Sequence, residues 1–353
     1  LKNARASRFL RLEIVLLPFL LLAFPAPGRA VAAVRPGGLA AGADGSLWFP
    51  EMGTGHVANL TAEGVLIDYA IPGAAALGEA IAAGPDGRIW VVGFGLDGKV
   101  HVWALSRSGV AADVATLSDR PLVLSFLPSS LASGPDRNVW IANLAEIDRV
   151  SPNGQIARFP IADGAIASSI AAGPDGNLWF VAALGAFGSG GQGVWRVAAT
   201  GAMTRVLDET SSGISTPTSI IAASDGRLWF ADNGYSELVA VSTSPVARTN
   251  VAFTGASRLA SGPDGNIWIT VPGRRAIARF SPFGSSTEFV LPTPLSIPVG
   301  IAAGLDGNLW FSEPDNGVVG RITQEGQVRE FDLGALVRLP IRSSRSTRLV
   351  SNH

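Results

Sequence analysis

The chain contains no cysteine. Disulfides and thiolate metal sites are therefore excluded, and stability must come from packing or from closure of the fold. Histidine is scarce, with three in 353 residues, so few side chains are available for proton transfer near neutral pH. Charged residues make up 16% against 47% hydrophobic, a balance that argues for a packed globular chain rather than a disordered one. A membrane-spanning segment is not expected: the apolar run Ile14 to Phe24 covers eleven residues and is broken by Pro18, whereas a bilayer needs ~20.

That short run has another reading. Lys2, Arg5, Arg8 and Arg11 precede it and the small residues of "APGRAVAA" follow, the order of a secretory signal. Residues 1–30 are expected to be removed, with cleavage near Ala30 or Ala33, giving a secreted or periplasmic protein without stable membrane insertion. Taking that segment's five basic residues and Glu13 from the totals of 27 and 28 leaves 22 basic and 27 acidic groups, a net charge of −5. No nucleic-acid partner is expected at that charge. The basic cluster Arg338, Arg342, Arg345 and Arg348, spaced by Ser and Thr, reads as a disordered tail over residues 336–353.

Glycine (42) and proline (23) are abundant and regularly spaced, which fits many short strands. The punctuation is a repeat. Seven copies align: "GLAAGADGSLWFPE" from Gly38, "AIAAGPDGRIWVVG" from Ala80, "SLASGPDRNVWIAN" from Ser130, "SIAAGPDGNLWFVA" from Ser169, "IIAASDGRLWFAD" from Ile220, "RLASGPDGNIWITV" from Arg258 and "GIAAGLDGNLWFSE" from Gly300. Their tryptophans, Trp48, Trp90, Trp140, Trp179, Trp229, Trp268 and Trp310, recur every 39 to 50 residues. Short strands at that period predict a seven-bladed β-propeller over residues 31–335, with four antiparallel strands per blade.

Within a copy, "IAAG" reads as strand A, "PDG" as a tight turn requiring positive φ, and "NLWF" as the returning strand B. Strands C and D follow, as in "VVGRITQ" and "QVREFDL". The tryptophans are expected to pack between blades; Trp103 and Trp195, on C strands, should pack as well. Extra length falls in two places, a Gly/Ser-rich insertion at residues 184–193 and a connection containing "RPLVLSFLP" between blades two and three. All seven blades are complete in sequence order, so "VAAVR" at residues 31–35 adds at most a strand to the last blade.

The phrases "PTPLSIPVGIAAGLDGNLWFSE" and "NGVVGRITQEGQVREF" resemble the streptogramin B lyases, also called virginiamycin B lyases, and weaker copies extend the likeness over about residues 36–333. The resemblance implies elimination chemistry that linearises a cyclic depsipeptide, with a histidine base, a glutamate and a magnesium ion. It maps the histidine onto Val299 and the glutamate onto Glu313. Equivalent positions in the other blades hold Gly37, Glu79, Ser129, Ser168, Thr218 and Ser257, none of them a histidine. His56 and His101 lie at or near C strands and His353 at the chain end; His56 is the candidate substitute base, beside Glu313.

One face of the ring, where A strands start and B strands end, collects polar groups. Three residues after each tryptophan stand Glu51, Gly93, Asn143, Ala182, Asp232, Val271 and Glu313. Blades one and seven adjoin in a closed ring, so Glu51 and Glu313 are expected to approach one another and, with Glu79, Asn143 and Asp232, to offer oxygen ligands to Mg2+ or Ca2+. The gluconolactonase-type propellers resemble this arrangement. Three functions follow: a monomeric exported propeller that lacks the family's general base and either binds a small-molecule or peptide ligand on this face or is weakly active, a streptogramin-type C–O lyase with a relocated base, or a metal-dependent lactonase-like hydrolase.

Overall fold

The computed structural model describes residues 34–341 except 62, 119–127, 129 and 184–190. The chain divides into two units, Leu1–Ala32 and Ala33–His353; the first, which holds the expected signal segment, lies outside the described residues, as do most of the 184–193 insertion and residues 342–353.

The described residues form seven antiparallel sheets, one per repeat, so the fold is a seven-bladed β-propeller. Blade one comprises Ala40–Ala41, Leu47–Glu51, His56–Leu60 and Leu66–Ala70, and blade seven Ile301–Ala303, Leu309–Glu313, Val318–Ile322 and Val328–Asp332. In each, strand A lies nearest the ring axis and strand D at the rim.

The repeated turn accounts for the repeated sequence. In blade one the Gly45 N–H donates to Gly42 O (3.0 Å) and the Gly42 N–H to Ser46 O (2.7 Å), a type I turn closed by a residue with left-handed φ. Glycine fills that last position at Gly45, Gly87, Gly176, Gly226, Gly265 and Gly307, and Arg137 takes it in blade three at φ 62°. The turn aspartate has a second task. Its carboxylate accepts the indole N–H of the marker tryptophan in six blades, from Asp86 to Trp90 (3.0 Å) through to Asp306 and Trp310 (3.2 Å). The glycine ending strand A leaves room for that ring: a Cβ on Gly173 would lie 2.4 Å from Trp179 Cδ1.

Each tryptophan faces the next blade. Trp48 packs with Val91 and Trp103 of blade two, Trp268 with Phe311 of blade seven, and Trp310 with Leu47 and Phe49 of blade one. Seven such inter-blade clusters form the core. Because successive strand residues alternate faces, the residue three after each tryptophan points the opposite way, at the preceding blade.

Closure differs from expectation. Four residues of the expected tail, Arg338–Ile341, form a fifth strand on blade one, paired in parallel with Leu66–Ala70. Buried Leu333 anchors the crossing from blade seven. Of the segment "VAAVR" only Val34 and Arg35 are among the described residues, and they join blades seven and one: Val34 packs in the seam, Met52 N–H donates to Arg35 O, Arg35 Nη2 donates to Asp315 Oδ1 (2.9 Å), and Pro36 bridges Glu51. Both ends of the described residues thus reach the first blade, whose rim edge is covered by the fifth strand.

Candidate functional site

Strand A of every blade contributes to one cavity of about 220 Å³ on the ring axis. Its wall changes character around the ring. Blades three, four and five present Ser130, Ser169 and Ser219; blade six presents Arg258; blades seven and one present Gly300 and Gly38; blade two presents Glu79. Each serine hydroxyl accepts a backbone N–H from the next blade: Ile170 to Ser130 (3.2 Å), Ile220 to Ser169 (3.1 Å) and Leu259 to Ser219 (2.8 Å). The hydroxyls therefore stitch blades three to six together at the axis.

Irregular backbone aims these side chains. Register shifts occur between Leu77 and Ile81, Ala167 and Ser169, and Thr218 and Ile221; such bulges redirect side chains near sites. Glu79 sits inside the first of them, and Ser219 holds φ 45°, a conformation costly for a residue with a Cβ. Arg258 is pinned through its backbone, its N–H donating to Thr270 Oγ1 (2.9 Å), while the Thr270 hydroxyl reaches Val299 O (3.3 Å).

From these positions Arg258 Nη2 donates to Glu79 Oε2 at 2.9 Å. Blades six and two are separated by two whole blades, so this ion pair spans the channel. It passes where blades seven and one carry only glycine. Gly38 is required there for another reason: its N–H donates to Glu79 O (3.0 Å), and a Cβ would meet that oxygen at 2.4 Å.

The remaining expected site residues are placed differently. Asp232 is fully buried and accepts the N–H groups of Ser215 (2.9 Å), Thr216 (2.8 Å) and Gly234 (3.2 Å), which makes it a loop-organising carboxylate. The Asn143 amide donates to Asp148 Oδ2 (2.7 Å) and Glu146 Oε1 (3.3 Å). Asp148 is fully buried with Oδ1 lacking a hydrogen-bond partner, and burial pushes its carboxyl up to about 7.

Glu51 and Glu313 do not come together. Each faces its preceding blade, Glu51 toward blade seven and Glu313 toward blade six, so the sheet of blade seven stands between them. Glu51 pairs with Arg338 of the fifth strand (2.9 Å), yet burial still raises its carboxyl above the ordinary range. Glu313 is fully buried; its Oε2 accepts from Asn316 (3.2 Å) and its Oε1 has no partner. Burial raises its carboxyl too, Ser296 and Asn316 ease the shift, and Glu330 adds to it. These donors do not fit a shared divalent cation: one carboxylate is engaged by a guanidinium and the other is sealed on the far side of a sheet. Among the described residues no three His, Asp or Glu side chains group as metal ligands.

His56 lies on the same blade face as Glu51, and blade seven separates it too from Glu313. Its Nδ1 is 2.8 Å from Asp68 Oδ1, and that carboxylate raises the imidazole pKa. His101 is held at both nitrogens, by Asp113 (2.8 Å) and Asp97 (3.0 Å), and stacks on Trp103. Arg258 and Asp148 were not singled out by sequence reasoning, and Arg338 was assigned to the tail. Arg258 had a visible signal, since the residue ten before each marker tryptophan is otherwise Gly, Ala or Ser.

A closed propeller with a polar axial cavity defines the class. Residues 124–340 match the Virginiamycin B lyase family, and the chain belongs to that family. Among solved structures it is similar to a streptogramin B lyase (20% identity, 86% of this chain and 96% of that one, TM-score 0.69). It is also similar to the virginiamycin B lyase of Staphylococcus aureus (19% identity, 80% and 92%, TM-score 0.68). The hydrazine synthase of Kuenenia stuttgartiensis shares the fold comparably (15% identity, 86% and 100%, TM-score 0.66). No curated protein matches the sequence. At these identities the likeness carries the fold alone.

Proposed function

We propose that this family member is an exported ligand-binding propeller that holds a small molecule, or the end of a peptide, at the axial cavity, and that it does not open cyclic depsipeptides. The carrying observation is the cavity itself: its polar wall has serine hydroxyls, a guanidinium and a carboxylate held in an ion pair by that guanidinium, and none of its lining residues is a histidine. The resemblance puts the base at Val299, which has no titratable group. His56 is a poor substitute because it is held by Asp68 on blade one and does not line the cavity. Glu313, the implied partner of that base, is sealed beneath the loop that leads into blade seven. Loss of a general base typically costs 10²–10⁴-fold in rate.

The test is incubation of the purified protein with a streptogramin B in the presence and absence of Mg2+, followed by mass spectrometry for the ring-opened product. Absence of ring opening supports the reading; efficient turnover overturns it, and its loss in His56→Ala would then identify the base. Export is tested by sequencing the N-terminus of the protein recovered outside the cytoplasm, where a start near residue 31 or 34 is expected.

A further inference from the structure

We propose that the axial cavity binds a small carboxylate, with Arg258 as the anchoring cation and Glu79 as a built-in competitor for it. This rests on the ligand-binding reading above and names the ligand class. The cavity is rich in unused donors. Each of Ser130, Ser169 and Ser219 already accepts a backbone N–H, and none of their hydroxyl protons is given to a protein acceptor among the described residues. The Arg258 side chain has five N–H donors, of which one, on Nη2, is committed to Glu79.

Donors on that many sides select a ligand made mostly of acceptors, and a guanidinium selects a planar anion that can accept two parallel hydrogen bonds. The one anion now in place is Glu79, delivered across the channel by a bulge larger than the other A-strand register shifts among the described residues. Its grip is loose in electrostatic terms: the side chains of Glu79 and Arg258 are 41% and 27% exposed, so water screens the pair. A carboxylate entering from solvent therefore exchanges with Glu79 rather than breaking a buried ion pair. A cavity of about 220 Å³ has room for an acid of a few carbons or the carboxylate end of a longer molecule.

Succinate and acetate, with succinamide and acetamide as neutral controls, are titrated into the wild-type protein, Glu79→Gln and Arg258→Gln, with binding read by calorimetry and by the Arg258 side-chain N–H resonances. Glu79→Gln is expected to bind the acids at least fivefold more tightly than wild type, Arg258→Gln at least tenfold more weakly than Glu79→Gln, and the amides not at all. The Arg258 N–H shifts in the protein retaining that residue keep the test independent of whether Arg258→Gln folds. No binding of either acid to Glu79→Gln, no tightening relative to wild type, equal binding of the amides, or unmoved Arg258 resonances would each overturn the proposal. Depsipeptide turnover alongside Arg258-dependent acid binding would overturn the non-lyase reading and leave this one standing.

Discussion

Asp148 illustrates how a single carboxylate can cost stability. It is fully buried, receives one hydrogen bond from Asn143 and lies near Glu146, so its ionised form is poorly solvated. A folded pKa of about 7 against an ordinary 3.8 means the folded state holds the proton more tightly. Stability from this group is fully present below pH 3.8 and is lost as pH rises toward 7; at ~1.4 kcal/mol per pH unit the upper bound is about 4 kcal/mol. Asp148→Asn removes the ionisation while keeping an acceptor for Asn143, and is expected to stabilise the protein by about 1–3 kcal/mol at pH 8 and by much less at pH 4. Urea denaturation at the two pH values checks this, and equal effects at both would refute the assignment. Arg137 is the second residue-level case. It is exposed and holds φ 62° where the sister turns have glycine. Arg137→Gly should raise stability by about 1 kcal/mol, read as a higher urea midpoint at unchanged slope; a lower midpoint would mean that no strain resides there.

At the scale of elements, the hairpin formed by strands A and B was legible because its requirements are local. A left-handed turn residue, an aspartate that caps the turn and in six blades the indole, and in every blade but the fifth, which has Ala223, a glycine beside the ring all lie within ten residues of one another, so most copies state the whole device. The ligand face was legible only in part. Counting three residues from each tryptophan located Glu51, Asn143, Asp232 and Glu313 at the ends of B strands, but not the blade each faces. Alternation along the strand turns all of them to the preceding blade, which separates Glu51 from Glu313. Arg258 and Glu79 are joined across 179 residues of sequence, a relation no local pattern carries. The fifth strand was hidden by composition, since Arg338–Ile341 looks like a basic tail until Leu66–Ala70 offers an edge and Glu51 and Asp68 offer charge. Arg338→Ala leaves Glu51 buried without its partner and is expected to cost about 1–3 kcal/mol. Glu51→Gln in the same background should recover part of that loss. Additive effects of the two substitutions in a double-mutant cycle would show that the clasp carries no coupling.

Over the whole molecule, titrating groups fall into two sets. The turn aspartates Asp86, Asp136, Asp175 and Asp306 have pKa values held down, where hydrogen bonds from indole, backbone and side-chain N–H groups together outweigh burial, so their stability is lost as pH falls below 3.8. Glu51, Glu313, Asp148 and His56 are raised, the first three by burial and His56 by Asp68, so their contribution fades as pH rises past 4.5, 4.5, 3.8 and 6.5 respectively. Maximal stability is therefore expected between about pH 4 and 6, and a melting temperature that rises steadily from pH 5 to pH 8 would contradict the linkage. The same distribution bears on function. Ionisable groups with raised pKa values lie in the seams and loops around the ring, away from the axial cavity, where the pair Arg258 and Glu79 holds opposite charges ready for exchange. The most direct measurement is the streptogramin B assay of the purified protein with Mg2+ present, monitored for the linear elimination product. The account predicts no product above the level given by heat-denatured protein; efficient ring opening would contradict it.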